Sequence, residues 1–144
     1  MLSRCNSDFR IRKGPLTINK PIPTKGDRRN MPTLIIHTNV ETPVDHRQKI
    51  LEDASSIIAK ILGKPENYVM VILKDKMDML FAGDAAPLAY LELKSLGLPE
   101  ERTSGLSADL CYFMEARFGI PPERVYIEFT SPPRHLFGWN GGTF

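Results

Sequence analysis

Few residues in this chain could do chemistry, and the first to consider is Pro32 in "DRRNMPTLIIHTN", Asp27 to Asn39. A proline at the start of a mature chain is a secondary amine, and such an amine is a usable base. With Met31 still attached, the same nitrogen is a tertiary amide with no proton and no basic lone pair. Pro32 is then simply the residue that begins an edge strand. The cysteines offer less. Cys5 and Cys111 imply no disulfide framework, and Cys111, within a helical pattern, reads as a small buried apolar residue. His37, His46 and His135 are scattered, with no ligand spacing to Cys or carboxylates, so no metal site is expected.

Charge divides the chain at the same place. Residues 1–30 hold eight Lys/Arg against two Asp/Glu, a net +6, while residues 31–144 hold eleven against fifteen, a net −4. A mildly acidic body argues against a nucleic-acid partner, which needs a basic face. No apolar run approaches the ~18 residues of a membrane helix, so a soluble protein is expected. Residues 1–30 carry Pro15, Pro21, Pro23, Gly14 and Gly26 without sustained periodicity, and lack the apolar core of a secretory signal. They read as a disordered basic leader or a mis-assigned start. Three origins stay open: an upstream start codon taken in error, a cleaved targeting leader, or a retained tail.

Residues 31–144 form the folded domain, and their periodicity gives the frame that would position any site. "TLIIHT", Thr33–Thr38, is a short β-branched strand. Thr42-Pro43-Val44-Asp45 reads as a helix start, with Thr42 as N-cap and Pro43 at the first helical position. Ile50, Leu51, Ala54, Ile57, Ile58, Ile61 and Leu62 form one apolar helical face, ended by Gly63 and Pro65. "YVMVILK", Tyr68 to Lys74, is the next strand. The second half repeats the plan. A strand in "PLAYLELKS", Pro87–Ser95, has one wetter face, and a helix with Leu106, Leu110, Phe113, Met114 and Phe118 closes at Gly119-Ile120-Pro121-Pro122. "RVYIEFT", Arg124 to Thr130, is the last strand, before a Pro- and Gly-rich tail. Two β–α–β repeats give an α+β fold: a four-stranded mixed sheet with two antiparallel helices on one face. The bare face needs a cover, and another copy of the chain is the economical one.

The strings "MPTLIIHTN", "GKPENYVMVIL", "FAGDAAPLAYLELKSLG", "PPERVYIEF" and "FGWNGGTF", in this order and spacing, resemble the macrophage migration inhibitory factor family of the tautomerase superfamily. The likeness runs from Met31 to Phe144 and is greatest to the plant and algal or cyanobacterial members. It implies a homotrimer and a cofactor-free, metal-free isomerase. The reaction implied is keto–enol tautomerisation of α-keto acids such as phenylpyruvate, and isomerisation of dopachrome-like compounds. Pro32 falls at the position of the family's N-terminal base. Lys64 matches the lysine that pairs with the substrate carboxylate, though a lysine at a helix C-terminus also complements the macrodipole. Leu96 matches a position whose backbone N–H binds substrate, and Tyr126 a pocket tyrosine supplied by the neighbouring subunit. An alternating strand aromatic can equally be core. Phe137 and Trp139 should wall the pocket mouth, while Tyr68 and Phe129 line the pocket or the core.

Two departures from the animal members stand out. Glu128 replaces an asparagine and would oppose an anionic substrate if it pointed inward. Leu88 and Leu91 replace a Cys-x-x-Cys pair, so thiol–disulfide activity is not expected. The alternative to an enzyme is a non-catalytic trimer that binds a protein partner or receptor. Cytoplasmic residence is expected, with leaderless secretion or organelle targeting by residues 1–30 as the other possibilities.

Overall fold

The computed structural model describes residues 31–144, so the leader reading of residues 1–30 lies outside the described residues. Strand β1 (Thr33–Thr38) has the expected bounds, and Leu34, Ile36 and Thr38 are buried while Thr33, Ile35 and His37 take the other face. Helix α1 (Val44–Leu62) buries Ile50, Ala54, Ile58 and Leu62, one residue per turn. Its start differs from the expectation. Pro43, with ψ 139°, is the flanking residue, and no side chain caps the helix. The extended Pro43 carries Thr42 away from the first turn, into a buried position where its N–H donates to Asp75 at 2.8 Å. Arg47 donates to the same carboxylate oxygen at 2.8 Å, so an acid from beyond β2 anchors the helix start.

Strand β2 is Met70–Lys74 rather than Tyr68–Lys74. Tyr68 closes a 3-10 turn, Glu66–Tyr68, with its N–H on the Pro65 carbonyl at 3.2 Å. Pairing begins only where the Met70 N–H reaches the Pro32 carbonyl, 3.0 Å away. β3 is Ala89–Lys94, α2 is Thr103–Phe118, preceded by a 3-10 turn at Glu100–Arg102, and β4 is Val125–Thr130, preceded by another at Pro122–Arg124. The Pro- and Gly-rich tail holds a small hairpin of β5 (Gly138–Trp139) and β6 (Gly142–Thr143). Its turn residues Asn140 and Gly141 both have positive φ, as a two-residue hairpin turn of the primed type requires.

The main sheet has the order β2-β1-β3-β4, with β1 parallel to β2, antiparallel to β3, and β3 parallel to β4. Each helix runs against the strands it connects, so the two antiparallel β–α–β units make α1 and α2 antiparallel. Both stripes pack on one sheet face, with Leu34, Ile36, Leu91, Leu93 and Val125 beneath them. The expected mixed sheet with two helices on one face is what the chain forms.

The other face carries charge. Glu92 and Glu128 stand directly opposite each other on β3 and β4, a repulsive cross-strand pair unless each has donors of its own. Glu92 accepts from His37 at 2.9 Å and from Lys94 at 3.2 Å, and its carboxyl is held below the usual range, chiefly by the His37 hydrogen bond. Glu128 accepts from the Tyr90 hydroxyl, and Thr130 lies 3.4 Å away. That bond to a carboxylate pushes the Tyr90 phenol up to about 12.

Candidate active site

The sequence-derived candidates fall at two places along the sheet. Pro32 is fully buried immediately ahead of β1, and its carbonyl is held by Met70. Lys64 reaches the same end through the exit of α1. Gly63 has φ 62°, and its N–H donates to Lys60 at 3.2 Å while the Lys64 N–H donates to Ala59 at 2.8 Å. That paired Schellman closure fixes the Lys64 backbone in the residue after the glycine. Burial lowers the Lys64 amine below the ordinary lysine range, because the charged form is partly desolvated. Tyr68, 6% exposed, lies one turn further on, between Lys64 and β2. Leu96 follows the end of β3, whose Lys94 pairs with Thr33, and is 1% exposed. Among the described residues its N–H meets no hydrogen-bond acceptor. A donor left unpaired on so buried a residue calls for an explanation.

The tail departs from the same end, after Thr130. Phe137 is half-buried against Phe144 with ring centroids 5.9 Å apart, and Phe144 lies nearly parallel to Trp139 at 6.3 Å. Phe144, which drew no attention in the sequence, also donates its N–H to the carbonyls of Arg134 and Phe137, each at 3.3 Å. Phe129 turns to the helix side and packs against the core, as does Leu91, while Leu88 is buried just ahead of β3.

Tyr126 lies elsewhere. On β4 it is opposite Tyr90, itself opposite His37, at the far end of β1 from Pro32. It is four residues from Thr130 and two strands from β1, which is about 13 Å along the strand and about 10 Å across. Tyr126 is 63% exposed, and Glu128 is exposed midway along the open face. A single chain therefore gathers Pro32, Lys64, Tyr68 and Leu96 but keeps Tyr126 and Glu128 apart from them.

Sequence reasoning missed what surrounds Tyr126. The Phe81 ring meets it edge-on at 5.0 Å and 89°, and the Arg124 guanidinium lies 5.3 Å above Phe81. Contacts between residues some forty positions apart leave no spacing to detect. Among the described residues no three of His, Cys, Asp or Glu form a group that could hold a metal ion. No helix among them is long and apolar enough to cross a membrane.

The family model for macrophage migration inhibitory factor matches residues 31–144. The chain belongs to the macrophage migration inhibitory factor family. A family homologue from Trichinella spiralis is 33% identical over 115 residues, covering 79% of this chain and 100% of that one. One from Brugia malayi is 35% identical over 115 residues, covering 79% and 99%. Among solved structures, the macrophage migration inhibitory factor homologue of Prochlorococcus marinus superposes with a TM-score of 0.73 at 41% identity, covering 78% of this chain and 98% of that one. The Trichinella spiralis protein superposes with a TM-score of 0.72 at 31% identity, covering 78% and 99%. The migration inhibitory factor match and the described residues coincide, so the shared part of the molecule is the sheet, its two helices and the tail hairpin.

Proposed function

We propose that this protein is a cofactor-free keto–enol tautomerase of phenylpyruvate-like α-keto acids and dopachrome-like compounds, with Pro32 as the base once Met31 and the residues before it are absent. The observation that carries the reading is the shared end of the sheet. There a buried Pro32 lies with a lysine of lowered pKa and the N–H of Leu96, unpaired among the described residues. A free α-amine titrates at about 7.7–8.0, and burial lowers it further, leaving it partly neutral near pH 7. Neutral Pro32 takes a proton from the carbon next to the ketone, and the electron pair of that C–H bond becomes the enolate. The protonated amine then returns the proton to oxygen, so the cycle closes with no net proton change. Lys64 holds the substrate carboxylate, and the Leu96 N–H supplies a fixed donor. Tyr68 and Phe137 line the apolar remainder.

In this reading the site is completed by Tyr126 and Glu128 of a neighbouring subunit in a homotrimer. The separation of Tyr126 from Pro32 within one chain supports it, as does the uncovered second sheet face. Mass from light scattering should correspond to three chains; a monomer would overturn the shared site.

The deciding experiment compares protein started at Met31 with the full chain, each with its N-terminus verified by intact mass. Phenylpyruvate tautomerisation should be at least about 100-fold slower in the full chain, where the base is an amide. Pro32→Gly in the short form should also lose most of its rate. Equal rates from the two verified termini would overturn the proline base. The second reading, a partner- or receptor-binding protein on the same scaffold, is favoured by the Met31–Pro32 peptide bond present in this chain.

A further inference from the structure

The connection from β2 to β3 passes through Phe81–Pro87, and one side chain ties that loop to the start of β4. Arg124 donates to the carbonyls of Asp84 at 3.0 Å, Ala86 at 2.9 Å and Pro87 at 3.0 Å, with the face of its guanidinium near the Phe81 ring. A planar fork of donors suits three carbonyls and a ring at once, and the point charge of a lysine does not. Asn39 holds the loop from β1, donating to Ala85 at 2.8 Å and accepting the Leu88 N–H at 3.0 Å. Between these ties Phe81 and Asp84 exchange backbone hydrogen bonds of 3.0 Å each way. The turn they close places Ala82 at φ 53°, a left-handed conformation that alanine adopts at an energetic cost. The surroundings therefore impose this turn, and its result is a fixed Phe81 ring set edge-on to Tyr126. Tyr126 is otherwise mostly exposed within the single chain, and Phe81 is the ring that meets it edge-on there.

We infer that Arg124, acting through Phe81, is a positioning residue for the Tyr126 ring in substrate binding. The inference rests on the shared site proposed above, in which Tyr126 lines a neighbouring subunit's pocket. Arg124 itself touches no reacting atom. A ring already held in its bound orientation has less freedom to lose when substrate arrives. Releasing it should weaken substrate and transition state alike, raising KM and leaving kcat nearly unchanged.

The test is a double-mutant cycle in protein started at Met31, with phenylpyruvate as substrate. Arg124→Lys and Phe81→Leu should each raise KM about three- to tenfold, with kcat within about twofold. Tyr126→Ala should raise KM at least as much, and adding Arg124→Lys or Phe81→Leu to it should raise KM no further. A purely structural clamp would lower the melting temperature in both backgrounds and leave the KM effects additive, which would overturn the inference alone. If Tyr126→Ala leaves KM unchanged, the shared-site reading falls and this inference with it. Should Arg124→Lys fail to fold, Phe81→Leu decides by itself, since it leaves every hydrogen bond of Arg124 in place.

Discussion

The two β–α–β units leave their helices by the same device and use it differently. Gly63-Lys64-Pro65 and Gly119-Ile120-Pro121 each place a glycine in the left-handed region, at φ 62° and 66°, and follow it with a proline, a 3-10 turn and a strand. The residue after such a glycine ordinarily packs an apolar side chain back onto the helix. Ile120 does so and is 0% exposed. Lys64 occupies the equivalent place, half-buried, with its amine lowered by desolvation. One unit obeys the packing rule and the other breaks it with a cation. A position filled against its structural preference is where function is expected to show, and this contrast supports Lys64 as a binding group independently of any family likeness.

Exchanging the two residue types should break the comparison most sharply. Ile120→Lys buries an unpaired charge and should lower stability by about 3–5 kcal/mol in urea unfolding. Lys64→Ile should unfold no earlier than the native protein, yet lose about 100-fold in kcat/KM for phenylpyruvate, the equivalent of one charged hydrogen bond. If both substitutions only destabilise, the exits are structurally equivalent and Lys64 has no separate role.

Replacing the glycines is a smaller perturbation. A Cβ at Gly63 or Gly119 would meet nothing within 4 Å, so the strain comes from φ alone. Gly63→Ala and Gly119→Ala should each cost about 1 kcal/mol in thermal or urea unfolding. Only Gly63→Ala should also raise KM, because in the proposed site only that exit carries a substrate-binding side chain. Equal KM values for the two variants would erase the distinction.

The smallest effect is a shift in pH dependence. In the proposed site Lys64 would bind the substrate carboxylate only while protonated, and burial lowers its pKa. Affinity should therefore be complete below that lowered pKa and fall as pH rises through it, before an ordinary lysine would lose its charge. Lys64→Arg should move this alkaline limb of 1/KM upward; an unmoved limb would assign it to another group.

The frame of the molecule was legible because burial leaves a period. Leu34 and Ile36 alternate, and Ile50, Ala54, Ile58 and Leu62 recur each turn, so β1 and the α1 stripe are read directly. Tyr68 belongs to the 3-10 turn rather than to β2, and an apolar run does not show where such a turn ends and ladder pairing begins. The strands flanking Asn140-Gly141 are only two residues long, too short to leave a period. Within the site, Pro32 could be suspected from its own chemistry. Leu96 could not, since a backbone N–H is carried by every residue but proline. Its placement came from the family likeness, as did that of Tyr126. Arg124 and Phe81 act across contacts to sequence-distant residues, to which neither periodicity nor motif is sensitive.

The distance between Pro32 and Tyr126 along the sheet also has a meaning for populations of molecules. In the proposed trimer each pocket is a joint product of two chains, so turnover per chain should fall on dilution once assemblies come apart. Chains lacking only Pro32 would be silent alone, and chains lacking only Tyr126 would bind substrate weakly. Mixed, they would regain activity wherever an intact proline met an intact tyrosine, and a lesion in one chain would be expressed in its neighbour's pocket.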